Sequence, residues 1–287
     1  MSAVTTILSI QSSVAYGHVG NSAATFPLMR MGVEVYPVLT VHFSNHTRYG
    51  QWRGPLLAAD DVAEVIRGID ERGALRRVDA VLSGYQGSED VGEVILDAVA
   101  LVRSRNPAAI YCCDPVLGDV DRGFYVRPGI PELMRDEAVP AAQIITPNQF
   151  ELEYLTGRST STVPQVLAAA DAARALGPQT VLVTSVVAEG AADDTIDMVA
   201  VSGEGAWSVT TPLLPQTFTG AGDLTAAAFL AHLLSSGSVE AALGRTAAVV
   251  HAVLKATVDS GEAELQLVAA QDEIVRPSRT FQVTRLR

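Results

Sequence analysis

The sequence predicts an α/β fold in which helices cover both faces of a mostly parallel sheet, a three-layer α/β/α sandwich. Short β-branched runs alternate with stretches whose apolar residues recur at three- and four-residue spacing. Such alternation is typical of βαβ units, whose parallel strands are joined by helices that pack on the sheet. The chain has 287 residues and no linker-like segment, so we expect one domain over residues 1–287.

Eight strands and six helices account for this pattern. The predicted strands are TTILSIQ (5–11), VEVYPVLTV (33–41), DAVLSGY (79–85), AAIYCCD (108–114), QIITPN (143–148), TVLVTSV (180–186), DMVAVSG (197–203) and AWSVTT (206–211). The predicted helices lie within 20–32, 60–75, 88–106 and 162–177, followed by an apolar pair at 223–237 and 238–259. No internal repeat is present.

Composition and charge restrict the class of ligand. Hydrophobic residues make up 48% of the chain and charged residues 18%, which is enough for a large core. A net charge of −12 argues against binding to a nucleic-acid backbone. No secretory signal or membrane span is predicted, so we expect a cytoplasmic protein with a small ligand.

The two cysteines and the single lysine exclude several kinds of site. Cys112 and Cys113 are adjacent on a predicted strand, so they should point to opposite faces of the sheet and form no ordinary disulfide or zinc site. Lys255 is the only lysine, and neither a P-loop nor a GxGxxG motif is present. Nucleotide phosphates would therefore be held by backbone N–H groups, hydroxyls, arginine or metal.

Polar residues follow five of the predicted strands, at the edge where open α/β sheets bind ligands. These residues are Ser12, Tyr85, Asp114, Thr146, Thr184 and Ser185. Each also has a purely structural interpretation. Asp114 before a proline ends a strand, Thr184 and Ser185 terminate another, and a lone Tyr85 is compatible with a core position. Their convergence on one side of one sheet favours a site.

TFTGAGD (217–223) places two glycines and an acid directly before a long apolar helix. One interpretation is that Gly220, Ala221 and Gly222 turn their N–H groups toward an anion at the positive end of the helix dipole, with Asp223 beside it. The other is that Asp223 caps the helix and needs no ligand. The sequence alone leaves both open.

Two segments interrupt the alternation of strands and helices. Residues 41–54 are aromatic and polar with glycines, as in a hairpin or flap. Residues 117–129 form a loop punctuated by glycines that is long enough to act as a lid. We expect both segments to cover the ligand.

Four stretches carry a resemblance to a known family. IQSSVAYGHVGNSAATFPL (10–28), HFSNHTRYG (42–50), and CDPVLGD (113–119) with ITPNQFELEYLTG (145–157) resemble the ribokinase-like small-molecule kinases, and within them the pyridoxal kinases. The likeness extends over nearly the whole chain, while GAGD marks only the larger superfamily. The resemblance implies transfer of the ATP γ-phosphoryl group to the 5′-hydroxymethyl group of pyridoxal and usually of pyridoxine and pyridoxamine.

The resemblance also implies roles for individual residues. Asp223 would be the base, with the N–H groups of Gly220, Ala221 and Gly222 as the anion hole. The substrate-binding residues would be Ser12, Val19, Phe43, His46, Thr47, Tyr85 and Asp223. The ATP-binding residues would be Asp114, Thr146, Glu151, Thr184, Ser185, Thr211, Leu213, Gly220 and Gly222. Magnesium and a monovalent cation such as K⁺ would be organised by Asp114, Asp119, Asn148 and Glu151. The family often forms homodimers.

Other interpretations remain for the site residues and for the activity. Asn148 and Glu151 also fit a capping box at the start of a helix, and His46 fits a satisfied core or flap residue. A hydroxymethylpyrimidine kinase of the same superfamily and a non-catalytic vitamin B6 binder are the competing functions. An enzyme that uses pyridoxal phosphate as cofactor is disfavoured because its aldimine lysine would have to be Lys255, in an apolar helix.

Overall fold

The strands of the protein form one large sheet and one small hairpin. A computed structural model describes residues 4–287, so the first three residues of the predicted domain lie outside the described part. The strands are β1 (Thr6–Val14), β2 (Glu34–Phe43), β3 (Ala80–Ser83), β4 (Ile110–Cys113), β5 (Gly118–Asp119), β6 (Gly123–Phe124), β7 (Ile144–Ile145), β8 (Thr180–Val186), β9 (Thr195–Ser202), β10 (Gly205–Pro212) and β11 (Val283–Arg285). All except β5 and β6 belong to the large sheet.

Helices cover both faces of this sheet. They are α1 (Asn21–Arg30), α2 (Ala59–Glu71), α3 (Glu89–Arg105), α4 (Ile130–Leu133), α5 (Val139–Ala141), α6 (Gln149–Thr156), α7 (Val163–Ala175), α8 (Ala221–Ser236), α9 (Val239–Ser260) and α10 (Gln271–Val275). A π-helical turn at Met134–Ala138 joins α4 to α5. The predicted helices α1, α2, α3, α7, α8 and α9 all form.

The sheet order is β2-β1-β3-β4-β7-β8-β9-β10-β11. The six strands from β2 to β8 are parallel to one another, and β9, β10 and β11 are added antiparallel. In this register Ile7 of β1 lies between Val35 and Ala80. The predicted mostly parallel α/β/α architecture is therefore confirmed, and the carboxyl ends of the parallel strands share one edge.

Alternating side chains along each strand divide the core between the two faces. Ile7 packs in the cluster with α1, α8 and α9, whereas its neighbour Leu8 packs in the cluster with α2, α3 and α7. Cys112 and Cys113 divide in the same way, and both are free and 0% exposed. Burial raises the pKa of both thiols. The cysteines are thus core residues, as predicted.

Both segments that interrupt the alternation form small hairpins. Residues 41–54 leave the end of β2, and the His42 and Ser44 N–H groups donate to the carbonyls of Pro55 and Arg53 at 3.0 and 2.7 Å. We call this segment, with its turn at Thr47–Tyr49, the flap. Within 117–129, β5 and β6 pair antiparallel. We call residues 117–129 the lid; it is a hairpin where the sequence predicted only a loop.

Helix α9 is the one helix among residues 4–287 that is long and apolar enough to cross a membrane. Core helices of soluble proteins can be equally long and apolar. In this chain 56% of the apolar window is buried within the protein, and α9 packs on α8, β9 and β10. This packing is that of a core helix.

Candidate active site

A cavity of about 330 Å³ opens at the shared edge where the parallel strands end. Because these ends lie side by side, residues far apart in the sequence meet there. The predicted site residues that line the cavity are Ser12, Val19, Phe43, His46, Thr47, Tyr85, Asp114, Asp119, Thr146, Asn148, Glu151, Thr184, Ser185, Gly220, Ala221, Gly222 and Asp223. The structure therefore brings together all predicted site residues except Thr211 and Leu213.

The TFTGAGD segment forms the sharp start of α8. Gly220 is the N-cap at φ +89°, and a Cβ there would overlap the carbonyl oxygen of His18. The first intrahelical bond runs from the Leu224 N–H to the Gly220 carbonyl at 3.0 Å. The N–H groups of Ala221 and Gly222 therefore have no helical acceptor and border the cavity. This is the geometry of an anion-binding helix start.

Asp223 is the third residue of α8 and is not its cap. The N-cap position belongs to Gly220, and no side chain caps this helix. Burial raises the pKa of Asp223 to about 6, although N–H groups of Gly20 and of Asp223 itself donate to the carboxylate and oppose that shift. The structure thus answers the question that the sequence left open: the carboxyl group lines the cavity instead of closing the helix end.

Asp114 forms the acidic floor of the same cavity together with two other acids. It is 5% exposed, and its Oδ1 accepts a hydrogen bond from the Thr146 hydroxyl at 2.7 Å. Burial, and then the charges of Glu151 and Asp223, raise the pKa of Asp114 well above its usual range. Three carboxyl groups therefore compete to ionise in one enclosed space, which favours a bound cation.

Asn148 and Glu151 form the capping box that the sequence allowed. The Asn148 side chain accepts from the Glu151 N–H at 2.9 Å, and Glu151 Oε2 accepts from the Asn148 N–H at 2.9 Å. Oε1 of Glu151 also accepts the N–H of Leu117 at 3.0 Å, which ties α6 to the lid. Burial raises the pKa of Glu151 to about 7. The two residues thus have structural partners and still line the cavity.

The residues predicted to bind a metal do not form a complete set of protein ligands for one. Within residues 4–287, no group of three or more His, Cys, Asp or Glu side chains is close enough to hold a metal ion. Asp119 instead accepts the Arg122 N–H at 2.8 Å, which closes the turn of the lid. Any ion in this cavity would need ligands from water or phosphate as well, as magnesium usually does.

The predicted nucleotide residues fall in two places. Thr184 and Ser185 lie near the end of β8 and line the cavity, at the point where the pairing with β9 shifts register and Ser185 has φ +54°. Thr211 is buried and donates to the Ile196 carbonyl at 3.4 Å, and Leu213 is 45% exposed. Neither lines the cavity, and β10 lies two strands beyond β8 in the sheet. Their predicted contacts to ATP stay predictions.

Several residues that the sequence analysis missed also line the cavity. They are Val14, Val41, Arg48, Val116, Arg122, Tyr125, Thr217, Phe218 and Thr219. Arg48 is in the flap, while Arg122 and Tyr125 are in the lid, with the guanidinium 5.0 Å from the ring centre. The flap and the lid were both expected to cover the ligand. The basic and aromatic residues within them could therefore have been predicted to line the cavity. Nothing in the sequence singled out the valines.

Comparison with known proteins decides the family. A profile of the family described as Phosphomethylpyrimidine kinase matches residues 75–267. Over 281 residues the chain is 60% identical to pyridoxal kinase PdxY of Rubrobacter xylanophilus, which covers 98% of this chain and 97% of that relative. The chain belongs to the pyridoxal kinase family. It is also 57% identical over 280 residues to pyridoxal kinase PdxY of Leifsonia xyli, with 98% and 99% covered.

A solved structure agrees with this membership. The pyridoxal kinase of Leishmania donovani in complex with ADP and pyridoxine superposes with a TM-score of 0.92 at 28% identity, covering 98% of this chain and 99% of that one. The predicted resemblance to pyridoxal kinases and the ribokinase-like fold are confirmed. The chain is a kinase of the pyridoxal kinase family.

Proposed function

We propose that the chain transfers the γ-phosphoryl group of ATP to the 5′-hydroxymethyl group of pyridoxal, and also to pyridoxine and pyridoxamine, giving pyridoxal 5′-phosphate and its analogues. One observation carries the proposal: Asp223 enters the cavity beside the acceptor-free N–H groups of Ala221 and Gly222. This arrangement offers a carboxylate to a hydroxyl and backbone donors to a phosphoryl group at one helix start.

Asp223 acts as the base in this proposal. In a loose phosphoryl-transfer transition state the hydroxyl proton leaves late, so holding the hydroxyl in line matters more than strong basicity. A carboxyl group with a pKa of about 6 is mostly ionised at neutral pH and still takes up a proton readily. The N–H groups of Ala221 and Gly222 stabilise charge that develops on the transferred group.

The acidic floor fits a magnesium ion. Asp114 and Glu151 are buried carboxyl groups with raised pKa values, and a cation between them and the phosphates would relieve their repulsion. We propose that these two residues, with Asn148 and Asp119 beside them, hold Mg²⁺ through water and phosphate oxygens. When bound, the ion neutralises phosphate charge. A monovalent cation such as K⁺ in the same region remains a prediction from the family resemblance.

Magnesium is expected to add to the stabilisation that ADP gives. Saturating ligand raises the free energy of unfolding by about 2.7 kcal/mol at 100 times its dissociation constant. We expect ADP with Mg²⁺ to raise the melting temperature of the wild type several degrees more than ADP with EDTA. In Asp114→Asn this difference should largely disappear. Asp97→Asn, an exposed exchange in α3, is the matched control and should keep it; an undiminished difference in Asp114→Asn would argue against Asp114 as a magnesium residue.

The other end of the cavity suits an aromatic vitamer. Ser12 and Tyr85 come from the ends of β1 and β3, and the flap contributes Phe43, His46 and Thr47. Burial raises the pKa of Tyr85, so its hydroxyl stays protonated and can donate. We propose that the pyridine ring lies between the apolar wall of this end and Tyr85, with the hydroxyls of Ser12 and Thr47 at its substituents.

Replacing Thr47 with valine is expected to raise the KM for pyridoxal about tenfold and to change the KM for ATP less than twofold. Valine keeps the shape but removes a hydroxyl that would bind the vitamer, a loss of about one hydrogen bond. Steady-state kinetics with each substrate varied would measure both constants. Thr284→Val, on the exposed edge strand β11, is the matched control. Equal changes in the two KM values would remove Thr47 from the vitamer pocket.

The experiment that tests the proposed function is a steady-state assay with Mg-ATP against pyridoxal, pyridoxine, pyridoxamine and hydroxymethylpyrimidine. ADP and the phosphorylated product are both followed. Turnover of a B6 vitamer is the expected result. Turnover of hydroxymethylpyrimidine alone would favour the second candidate, which the Phosphomethylpyrimidine kinase profile over residues 75–267 supports. Pyridoxal binding without any turnover would favour a non-catalytic binder.

We further propose that the protein acts as a cytoplasmic homodimer. The dimer rests on the family resemblance, and the compartment rests on the sequence pattern described above. Sedimentation velocity of the purified protein, at concentrations around and well below 1 μM, would measure the oligomeric state; a single monomeric species throughout would overturn the dimer. Nucleic acid and membrane are not proposed as partners.

A further inference from the structure

The carboxylate of Glu264 joins three segments that meet at the vitamer end of the cavity. Glu264 follows α9, is 8% exposed, and is not itself part of the cavity wall. Its Oε1 accepts hydrogen bonds from the Tyr49 hydroxyl at 2.8 Å and from His46 Nε2 at 3.0 Å, both in the flap. Its Oε2 accepts the backbone N–H of His18 at 3.1 Å, in the loop after β1. One buried side chain therefore holds the flap and this loop together.

The loop after β1 is shaped around this carboxylate. Gly17 has φ +93°, and a Cβ at that position would overlap Glu264 Oε2. Only glycine lets the backbone approach the carboxylate so closely while adopting this conformation. The contact is therefore part of the built structure of the loop and does not depend on a mobile surface side chain.

His46 depends on Glu264 for its orientation. Its Nδ1 is buried and has no hydrogen-bond partner among residues 4–287, so the contact from Nε2 to Glu264 is the only polar anchor of the ring within that range. The contact requires a proton on Nε2, which fixes which ring nitrogen donates. The ring also stacks on Tyr49, with centroids 4.6 Å apart. The two side chains that Glu264 binds in the flap thus support each other.

Both segments that Glu264 holds contain residues that line the vitamer end of the cavity. In the flap, His46 and Thr47 line the cavity. In the loop, Val19 lines the cavity. Displacing the Glu264 contacts would therefore move the walls of the vitamer pocket. Among residues 4–287, no hydrogen bond or ion pair joins the Glu264 carboxylate to Asp114 or Glu151.

We propose that Glu264 is a positioning residue that holds the flap and the 17–20 loop in the arrangement that binds the vitamer, and so sets the affinity for the vitamer and leaves that for ATP unchanged. The inference rests on the proposed function for its kinetic part. A residue that merely stabilised the fold would lower the melting temperature and affect both substrates alike. The division between the two KM values therefore distinguishes positioning from general stability.

Glu264→Gln is the decisive variant. Glutamine has the same shape, but only one of its two terminal atoms is an oxygen that accepts hydrogen bonds. Its NH₂ group would face a donor that the second carboxylate oxygen of Glu264 accepts from. We expect the KM for pyridoxal to rise about tenfold, with the KM for ATP within twofold and kcat within a few-fold. Glu262→Gln, an exposed exchange two residues earlier, is the matched control and should leave all three unchanged. Unchanged or equally raised KM values in Glu264→Gln would overturn the proposal.

A second variant tests the network without removing the buried charge. Tyr49→Phe deletes one donor from a half-exposed side chain, so the protein is expected to fold normally, and the KM for pyridoxal should rise about threefold. In the double variant with Glu264→Gln the two effects should not multiply, because both remove the same contact. Fully multiplicative effects would mean that Tyr49 and Glu264 act separately and would overturn the shared network.

Limited proteolysis measures how often the flap opens and needs no assay of activity. Arg48 and Arg53 are exposed in the flap and are trypsin sites. With its contacts to Glu264 removed, the flap should open locally more often, so cleavage after Arg48 should be several-fold faster in Glu264→Gln than in wild type and in Glu262→Gln. Mass spectrometry of the fragments identifies the site. An unchanged cleavage rate would overturn the proposal for Glu264. The proteolysis result does not depend on activity, so it would still be valid if the wild type failed to phosphorylate pyridoxal. That failure would refute the proposed function separately.

Discussion

In the Asp223→Asn variant, kcat for pyridoxal is expected to fall by about 10²- to 10⁴-fold, the contribution usual for a positioned general base. Asparagine keeps the size of the side chain but cannot take the hydroxyl proton. The affinity for Mg-ATP should stay within a few-fold, because Asp223 is proposed to contact the acceptor hydroxyl and not the nucleotide. Steady-state kinetics give kcat, and calorimetric titration with Mg-ATP gives the affinity.

The same variant is expected to be more stable than the wild type above pH 6. The folded state raises the pKa of Asp223 from its ordinary value of 3.8 to about 6, so between these values the folded protein binds more protons than the unfolded chain. Stability from this group therefore falls as the pH rises through that window, and the ionised carboxylate is destabilising above it. Asparagine removes the penalty, so its melting temperature should exceed that of wild type by a few degrees at pH 8 and approach it near pH 4.

Wild-type kinetics supply the control for this interpretation. If Asp223 must be ionised, kcat/KM should rise with pH through a value near 6, and the limb should be absent from the residual activity of Asp223→Asn. Near-normal turnover in the variant would remove Asp223 as the base. Loss of turnover together with loss of Mg-ATP binding would instead indicate a distorted helix start.

Gly220→Ala is expected to reduce kcat/KM by at least about 100-fold and to lower the melting temperature. The added Cβ would overlap the backbone carbonyl of His18, and an L side chain at φ +89° is strained. Backbone atoms cannot swing away as a side chain tip can, so α8 and the loop after β1 must separate. A displacement of about 1 Å at the anion hole costs this order of activity.

Gly237→Ala separates the collision from the backbone strain. Gly237 ends the same helix at φ +64°, and a Cβ there would meet nothing within 4 Å. This variant should lose about 1 kcal/mol of stability from the left-handed conformation and keep its kcat. Thermal denaturation and steady-state kinetics on both variants make the comparison. Similar kinetic losses in the two would show that Gly220 matters for stability alone.

Local patterns in the sequence predicted most of the fold. The strands and helices whose apolar residues recur at a clear spacing form where they were expected. This is because the spacing of apolar residues and the frequency of β-branched residues depend directly on which side chains are buried. The adjacent cysteines illustrate the same rule: successive residues of a strand face opposite sides, and Cys112 and Cys113 lie in separate clusters. The crevice was predictable as well, since it follows from strand direction.

Elements without such patterns were missed. The helical stretch from Ile130 to Ala141 contains two prolines and a π-helical turn, which break the spacing that identifies a helix. The edge strand β11 has only three residues and forms through its pairing with β10. Tertiary contacts, which one sequence does not reveal, determine both.

Side-chain roles at the site were predictable in part. The sequence left two interpretations for Asp223, and the position of Gly220 as N-cap decided between them. For Asn148 and Glu151 the sequence allowed a capping box or a place in the site. Both hold, because the two residues form a capping box and also line the cavity. Glu264 carried no local signal, because its partners lie more than 200 positions away in the sequence.

The burial of both cysteines has a practical consequence for spectroscopy. A thiol that water cannot reach, and whose pKa is raised, does not react with maleimides or methanethiosulfonates while the protein stays folded. The native chain thus behaves as if it had no cysteine under labelling conditions. In an Arg53→Cys variant, at an exposed flap position outside the cavity wall, the new cysteine alone would carry a fluorophore or spin label, and flap opening could be followed in real time.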